Sequence, residues 1–182
     1  MNQIFVTAVV FLASLAAAAA ELVVAMPGRD ALIVDVPPGW TSEVKRERVK
    51  LPPTITLTAA DAQTFKILIT PIWPAAGNEP TEREEIRGMV KKAASEAASQ
   101  AFEQELLLRE FTAPAKHGYY FFATDRNPKP NEYKYLTQGT ISYGELRIAF
   151  TALSNDAPEA SIQQAIGLLS KLQRRREKPG TV

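Results

Sequence analysis

The sequence predicts an α+β fold, an antiparallel β-sheet covered by a long central helix and a C-terminal helix in an α/β/α sandwich. Three observations carry this expectation. Thr54 to Ala59 (TITLTA) alternates strictly, with Ile55 and Leu57 on one face and threonines on the other. Lys116 to Leu153 reads as three consecutive strands and holds the single histidine and all five tyrosines. Two further stretches, after Thr81 and after Asp156, carry apolar residues at helical spacing behind recognisable helix starts. With 182 residues, 46% hydrophobic and 23% charged, the chain has the make-up of one domain with a real core.

Ile4 to Ala20 is an apolar run broken only by Thr7 and Ser14, ending in alanines before Glu21, the first charged side chain. It reads as a secretory signal peptide over residues 1–20, with the small residues Ala18 and Ala20 placing cleavage between Ala20 and Glu21. The alternative is an uncleaved anchor, since Met1 to Gln3 carry no Lys or Arg; against it, the run falls just short of the ~18 consecutive apolar residues of a spanning helix. Residues 21–182 then form a single globular domain of a periplasmic or secreted protein, with no stable membrane insertion after cleavage.

Leu22 to Met26 and Ala31 to Val36 are short β-branched runs separated by a turn cluster, Pro27 to Asp30. Pro37, Pro38 and Gly39 stop the second run, and Trp40 follows. Thr41 to Lys50 has only Val44 and Val49 as large apolar residues, which suits a solvated edge strand or a loop. After Thr54 to Ala59, a turn at Ala60 to Gln63 leads into a returning strand, Thr64 to Trp73, and then a loop, Pro74 to Pro80. Thr81 with Glu84 forms a capping box for the long helix, whose apolar positions run from Ile86 through Ala101 and Phe102. Phe111 to Pro114 falls outside that helix. His117 to Thr124 has aromatics on both faces, as in a strand covered on both sides. Asp125 to Asn131 is an exposed loop, and Tyr133 to Ile141 and Glu145 to Leu153 form a hairpin around Ser142, Tyr143 and Gly144. The last helix starts at Asp156 as cap, with Pro158 in its first turn and Glu159 at the capping-box position. Ile162, Ile166, Leu169 and Leu172 form its stripe, and Arg174 to Arg176 with Lys178 its solvated basic end.

The charge balance, 21 basic against 20 acidic residues for a net +1, supplies no field to attract nucleic acid. Zero cysteines remove thiolate nucleophiles, disulfides, cysteine-held metals and a cysteine-linked lipid anchor. Every His-dependent triad would have to pass through His117, which sits at a strand start beside Gly118 and reads as a local hydrogen-bonding residue. Asp61, Asp125, Glu132 and Asp156 lie in separate turns, outside any metal-binding motif, and the glycines are scattered singly. No catalytic residue, metal or cofactor is nominated. Candidate binding residues are Trp40, Tyr133 and Tyr135 as aromatic contacts, and Arg126 and Lys129 on the proline-bearing loop.

The Val36-Pro37-Pro38-Gly39-Trp40 turn, the Gly118-Tyr119-Tyr120 strand and the order of elements together resemble the Mog1/PsbP-like fold group, which includes PsbP, Mog1 and exported DcrB-like bacterial proteins. The resemblance covers most of the chain after the signal. It implies a non-enzymatic scaffold with an antiparallel sheet between helices, docking a partner. No site motif of the group matches here, so no residue role carries over. The expected function is an exported, non-catalytic binding or accessory protein of the bacterial cell envelope, docking a protein partner or small apolar ligand. The alternatives are an inhibitor or immunity-type protein against an envelope-directed toxin and a carboxylate-dependent hydrolase.

Overall fold

The computed structural model describes residues 20–26, 30–46, 48, 51–73 and 82–176. The signal run up to residue 19, Pro27 to Arg29, the loop 74–80 and Thr81 lie outside the described residues. Among the described residues ten strands and two helices follow in the order β1 (Ala20–Ala25), β2 (Asp30–Val36), β3 (Thr41–Lys45), β4 (Thr54–Thr58), β5 (Phe65–Ile72), α1 (Arg83–Ala97), β6 (Arg109–Ala113), β7 (Lys116–Thr124), β8 (Tyr135–Tyr143), β9 (Leu146–Ser154), α2 (Pro158–Lys171) and β10 (Gln173–Arg176).

The strands form two antiparallel sheets, a seven-stranded one ordered β3-β4-β5-β9-β8-β7-β6 and a three-stranded one ordered β1-β2-β10. Alternation decides the faces of the large sheet. Ile55, Leu57, Phe65, Ile67, Ile69, Ile148 and Phe150 all point one way and are buried in one cluster with Leu32, Val34 and Val36 of β2 and Ile162, Ala165 and Leu169 of α2. Tyr119, Phe121 and Ala123 of β7 point the other way and pack under Ile86, Val90 and Ala94 of α1. The two helices therefore lie on opposite faces, and β7 is covered on both, as its aromatics predict. β7 and β8 also pass closely at their glycines: a Cβ on Gly118 would sit 2.2 Å from the Thr140 carbonyl oxygen, and one on Gly139 would sit 2.4 Å from that of Tyr119.

Several expectations are corrected. The single sheet is two sheets, and Arg174 to Arg176 do not end a helix but form β10 on the free edge of β2, with Gln173 opposite Ile33 and Arg176 opposite Asp30. Arg109–Ala113 is a strand hairpinned onto β7 through Pro114 and Ala115, the latter at φ 59° where a proline-led turn needs a positive φ. α1 stops at Ala97, so Ala101 leaves the helix to bridge Asp125, and Phe102 is exposed. α1 has Glu82 and α2 has Ala157 at the N-cap, neither with a side-chain cap bond, so the Asp156–Glu159 box at α2 does not form. At α2 the Asp156 amide donates instead to the Ser154 hydroxyl, and Pro158 removes one of the orphan amides.

Two cations, Lys116 buried and Arg174 largely so, tie the layers together. Arg174 Nε donates to Asp30 Oδ2 at 2.8 Å, its Nη2 bonds the same oxygen, and its backbone amide donates to the Tyr143 hydroxyl oxygen at 3.3 Å. This joins β10, β2 and the β8–β9 hairpin. Asp30 and Arg174 are 9% and 21% exposed, so removing the cation leaves a carboxylate in a poorly hydrated place. Arg174→Ala is expected to lower stability by about 3 kcal/mol in urea denaturation. Arg175→Ala, which breaks only an exposed pair with Glu21 at 2.9 Å, changes it by less than about 1 kcal/mol.

Lys116, also buried, donates from Nζ to the Ser170 carbonyl at 2.8 Å near the C-terminus of α2 and lies 4.7 Å from the Tyr143 ring centre. Burial nevertheless holds its pKa below the ordinary 10.5. Between the folded value and 10.5 the unfolded chain binds the proton and the folded chain does not, so stability rises with pH across that window. The stability of wild type minus that of Lys116→Met is therefore expected to increase from pH 7.5 towards 10.5, read by urea denaturation at each pH.

Candidate functional site

Where α1 ends, the chain doubles back along the end of β7. The Phe102 amide donates to the Thr124 carbonyl at 2.8 Å, the Arg126 amide to the Gln100 carbonyl at 3.0 Å, and the Arg126 guanidinium to the Ala101 carbonyl at 2.8 Å. Glu103 closes the clamp, one carboxylate oxygen accepting from the Thr124 amide at 2.9 Å and the other from its hydroxyl at 2.7 Å. Burial pushes the Glu103 carboxyl up. The bonds from Thr124 and the Glu103 amide outweigh it, leaving the pKa below 4.5.

The loop that follows is held at both ends. The Asp125 amide donates to the Lys134 carbonyl at 2.8 Å, and the Asn127 amide to Asp125 Oδ1 at 2.9 Å. Asn155 takes the Lys134 amide at 2.8 Å and donates to the Gln63 carbonyl at 2.9 Å, while the Tyr133 hydroxyl donates to the Ala62 carbonyl. These contacts fix the β4–β5 turn, the loop and the start of β8 as one rigid corner. Burial and then the negative charge of Asp61 raise the Tyr133 pKa above 10.0, so its hydroxyl stays a donor at neutral pH.

Between this corner and the end of α1 lies a cleft of about 170 Å³. Ala97, Ala101, Ala123, Leu136 and Leu153 form its apolar lining, Tyr133 and Tyr135 stand in its wall, and Gln100, Thr124, Asp125 and Lys134 supply polar groups. The Tyr135 ring is braced by Phe122, 5.8 Å between centroids, and has the Lys134 ammonium 5.2 Å from its centre. Lys66 lies 5.5 Å from the Tyr133 ring centre.

Of the five residues singled out from sequence, the structure brings Tyr133 and Tyr135 together. Arg126 sits just behind the cleft, with its guanidinium bound to the Ala101 carbonyl. Lys129 is on the exposed loop, its ammonium 3.9 Å from Glu132, and Trp40 packs on Phe65 at 5.5 Å; neither lines the cleft. Sequence reasoning missed Leu153 and Leu136, which face each other across β8 and β9. The available signal was parity, because Leu153 shares a face with Thr151 and Arg147 rather than with Phe150.

Two other concavities flank α1. One, of about 230 Å³, lies between Met89, Val90 and Ala93 and the threonines Thr54, Thr70, Thr140 and Thr151. The other, of about 640 Å³, separates the opposite side of α1 from the segment 104–108. His117 is half-buried in β7, with its backbone paired to Ser142 and Thr112. Among the described residues no three His, Asp or Glu side chains cluster as metal ligands, and no helix is long and apolar enough to cross a membrane.

The described residues form a mixed α/β fold of two antiparallel sheets and two helices, with a small cleft walled by Tyr133 and Tyr135. No protein-family profile, curated protein or solved structure matches the chain.

Because the cleft depends on the clamp at Thr124, Glu103→Gln is expected to cost about 1 kcal/mol at pH 7 by replacing a charged acceptor with a neutral one. A depressed carboxyl pKa contributes stability that is present above 4.5 and lost as pH falls through the folded value. The gap between wild type and Glu103→Gln should therefore narrow below pH 4.5 in parallel acid-unfolding curves.

Proposed function

We propose that this chain is an exported, non-catalytic binding or accessory protein of the bacterial cell envelope, docking a protein partner through the Tyr133–Tyr135 cleft. The observation that carries the reading is the cleft itself. Two tyrosines and a row of alanine and leucine side chains form an open cleft with polar groups beside it, the arrangement that anchor residues of a partner use. Its size favours a protein partner over an enclosed small ligand. At about 170 Å³ it falls below the ~300–1,000 Å³ of sites that enclose a whole small molecule, and it fits a single side chain of a larger partner.

A hydrolase acting at this place would need two carboxylates across the cleft. Asp125 is the one carboxylate in its lining, and Asp125 Oδ1 already holds the Asn127 amide. Export rests on the apolar run from Ile4 to Ala20. Cleavage after Ala20 would leave Glu21 opposite Asp35, so β1 would keep its pairing with β2. We read the architecture as an α/β/α sandwich of the Mog1/PsbP-like kind, a reading supported by α1 and α2 on opposite faces of the large sheet; the sheet of β1, β2 and β10 is an addition to that plan.

The test is site-specific photo-crosslinking in the producing cell. A photo-reactive phenylalanine analogue at Tyr135 is expected to yield one discrete heavier adduct that disappears when Leu153→Asp is added. The same probe at exposed Thr112 should give none. An adduct that survives Leu153→Asp, or equal labelling from both positions, would sink the cleft as the docking site.

A further inference from the structure

The large sheet ends on β3, all five residues of which are exposed, and no described strand lies on its outer side. Such an edge leaves a row of backbone donors and acceptors unpaired. Short length and charge on an edge strand ordinarily discourage pairing, yet the pattern of charges here is self-complementary.

Two copies of one strand pair antiparallel about a two-fold axis only if some residue faces its own copy. Hydrogen-bonded and non-hydrogen-bonded pairs alternate along the ladder, and pairs related by symmetry must be of one kind. This rule sorts the edges of the two sheets. β10 would set Arg174 or Arg175 against itself, and β1 carries a single charge, Glu21. In β6 the opposite charges, Arg109 and Glu110, are sequence neighbours, so no allowed register places one across from the other. In β3, Glu43 and Lys45 flank Val44. The register that sets Val44 against its own copy opposes Glu43 to Lys45 twice, once on each side of the axis.

We propose that the β3 edge is a self-association surface, on which a second copy of this chain adds in the Val44-centred antiparallel register. Val44 fits that role. It is 43% exposed although Ile55, its partner across β3 and β4, is fully buried, so a second Val44 would extend the apolar layer across the axis. Glu43 and Lys45, 3.2 Å apart within one chain, would exchange partners without losing charge neutralisation. The half-buried threonines of β4 share their face with Glu43 and Lys45, and in the pair this face would run unbroken from one copy to the other. The Tyr133–Tyr135 cleft involves no β3 residue and would stay open in both copies, so this inference stands apart from the proposed docking function. A five-residue edge buries less than the ~1,200 Å² of a standard interface, so the association is weak and concentration-dependent.

Sedimentation velocity on the purified protein tests it. Wild type is expected to shift from monomer towards dimer as concentration rises to about 0.5 mM, the range of a weak interface. Lys45→Glu and Glu43→Lys, each of which sets like charges in opposition, should both remain monomeric at that concentration. An equimolar mixture of the two variants should form a dimer again, because each then meets the opposite charges, and the double variant Glu43→Lys/Lys45→Glu should dimerise alone. Recovery in the mixture cannot come from a pair within one chain or from a fold lost in either variant. Monomeric wild type throughout, single variants that associate as wild type does, or a mixture that stays monomeric would each overturn the proposal.

Discussion

One face of the seven-stranded sheet presents isoleucines, leucines and phenylalanines from β4, β5 and β9 that are excluded from water, and hiding that face governs the rest of the architecture. Each such side chain contributes about 1.5–3 kcal/mol when buried, so leaving the face open would cost more than a domain of this size can supply. Strands lie about 4.8 Å apart, and a helix with its side chains is about 10 Å wide, so one helix covers roughly two strands. α2 cannot hide seven. The small sheet of β1, β2 and β10 covers what α2 leaves, through Leu32, Val34 and Val36. The opposite face obeys the same geometry in reverse. α1 covers β7 and β8, where Tyr119 and Phe121 need it, and the strands beyond its reach carry threonines, which can meet water.

Covering one sheet with another creates joints, and the polar groups buried at the joints are paired. Arg174 reaches Asp30 across the small sheet and meets the Tyr143 hydroxyl on the large one, while Lys116 reaches from β7 to the last turn of α2. Among the described residues no buried side-chain polar atom lacks a partner. The two cations differ in kind. Arg174 has a carboxylate beside it, whereas Lys116 has a carbonyl and an aromatic face, which do not offset its lost hydration, and its pKa falls.

The cleft was half legible before folding. Tyr133 and Tyr135 stood out as aromatics beside a turn-rich loop, and they do share a wall. Trp40 has the same chemistry, but its neighbour Phe65 faces the buried side of the sheet, so Trp40 packs there. Arg126 looked like a free cation on an exposed loop. The α1 end leaves the Ala101 carbonyl beside it, and no local pattern could announce a contact between positions 25 residues apart. Glu103, which holds the strand end beneath the cleft, directly follows Phe102, the last apolar position expected of a helix that in fact ends earlier, at Ala97.

By itself the sequence determined the elements whose signal is periodic. β4, β5, β8, β9 and both helices follow from alternation or amphipathic spacing and β7 from aromatics on both faces, because burial writes a pattern into the chain, whereas β3 read as an edge strand or a loop. Tertiary structure alone decided β6 and β10. Arg109–Ala113 and Gln173–Arg176 have no period of their own, and they are strands because β7 and β2 offer them an unpaired edge. For β10 the decisive partner, Asp30, lies 144 positions away in the chain. Three arginines read locally as solvated, and what makes them a strand is a carboxylate and a backbone ladder that exist only once the fold has closed.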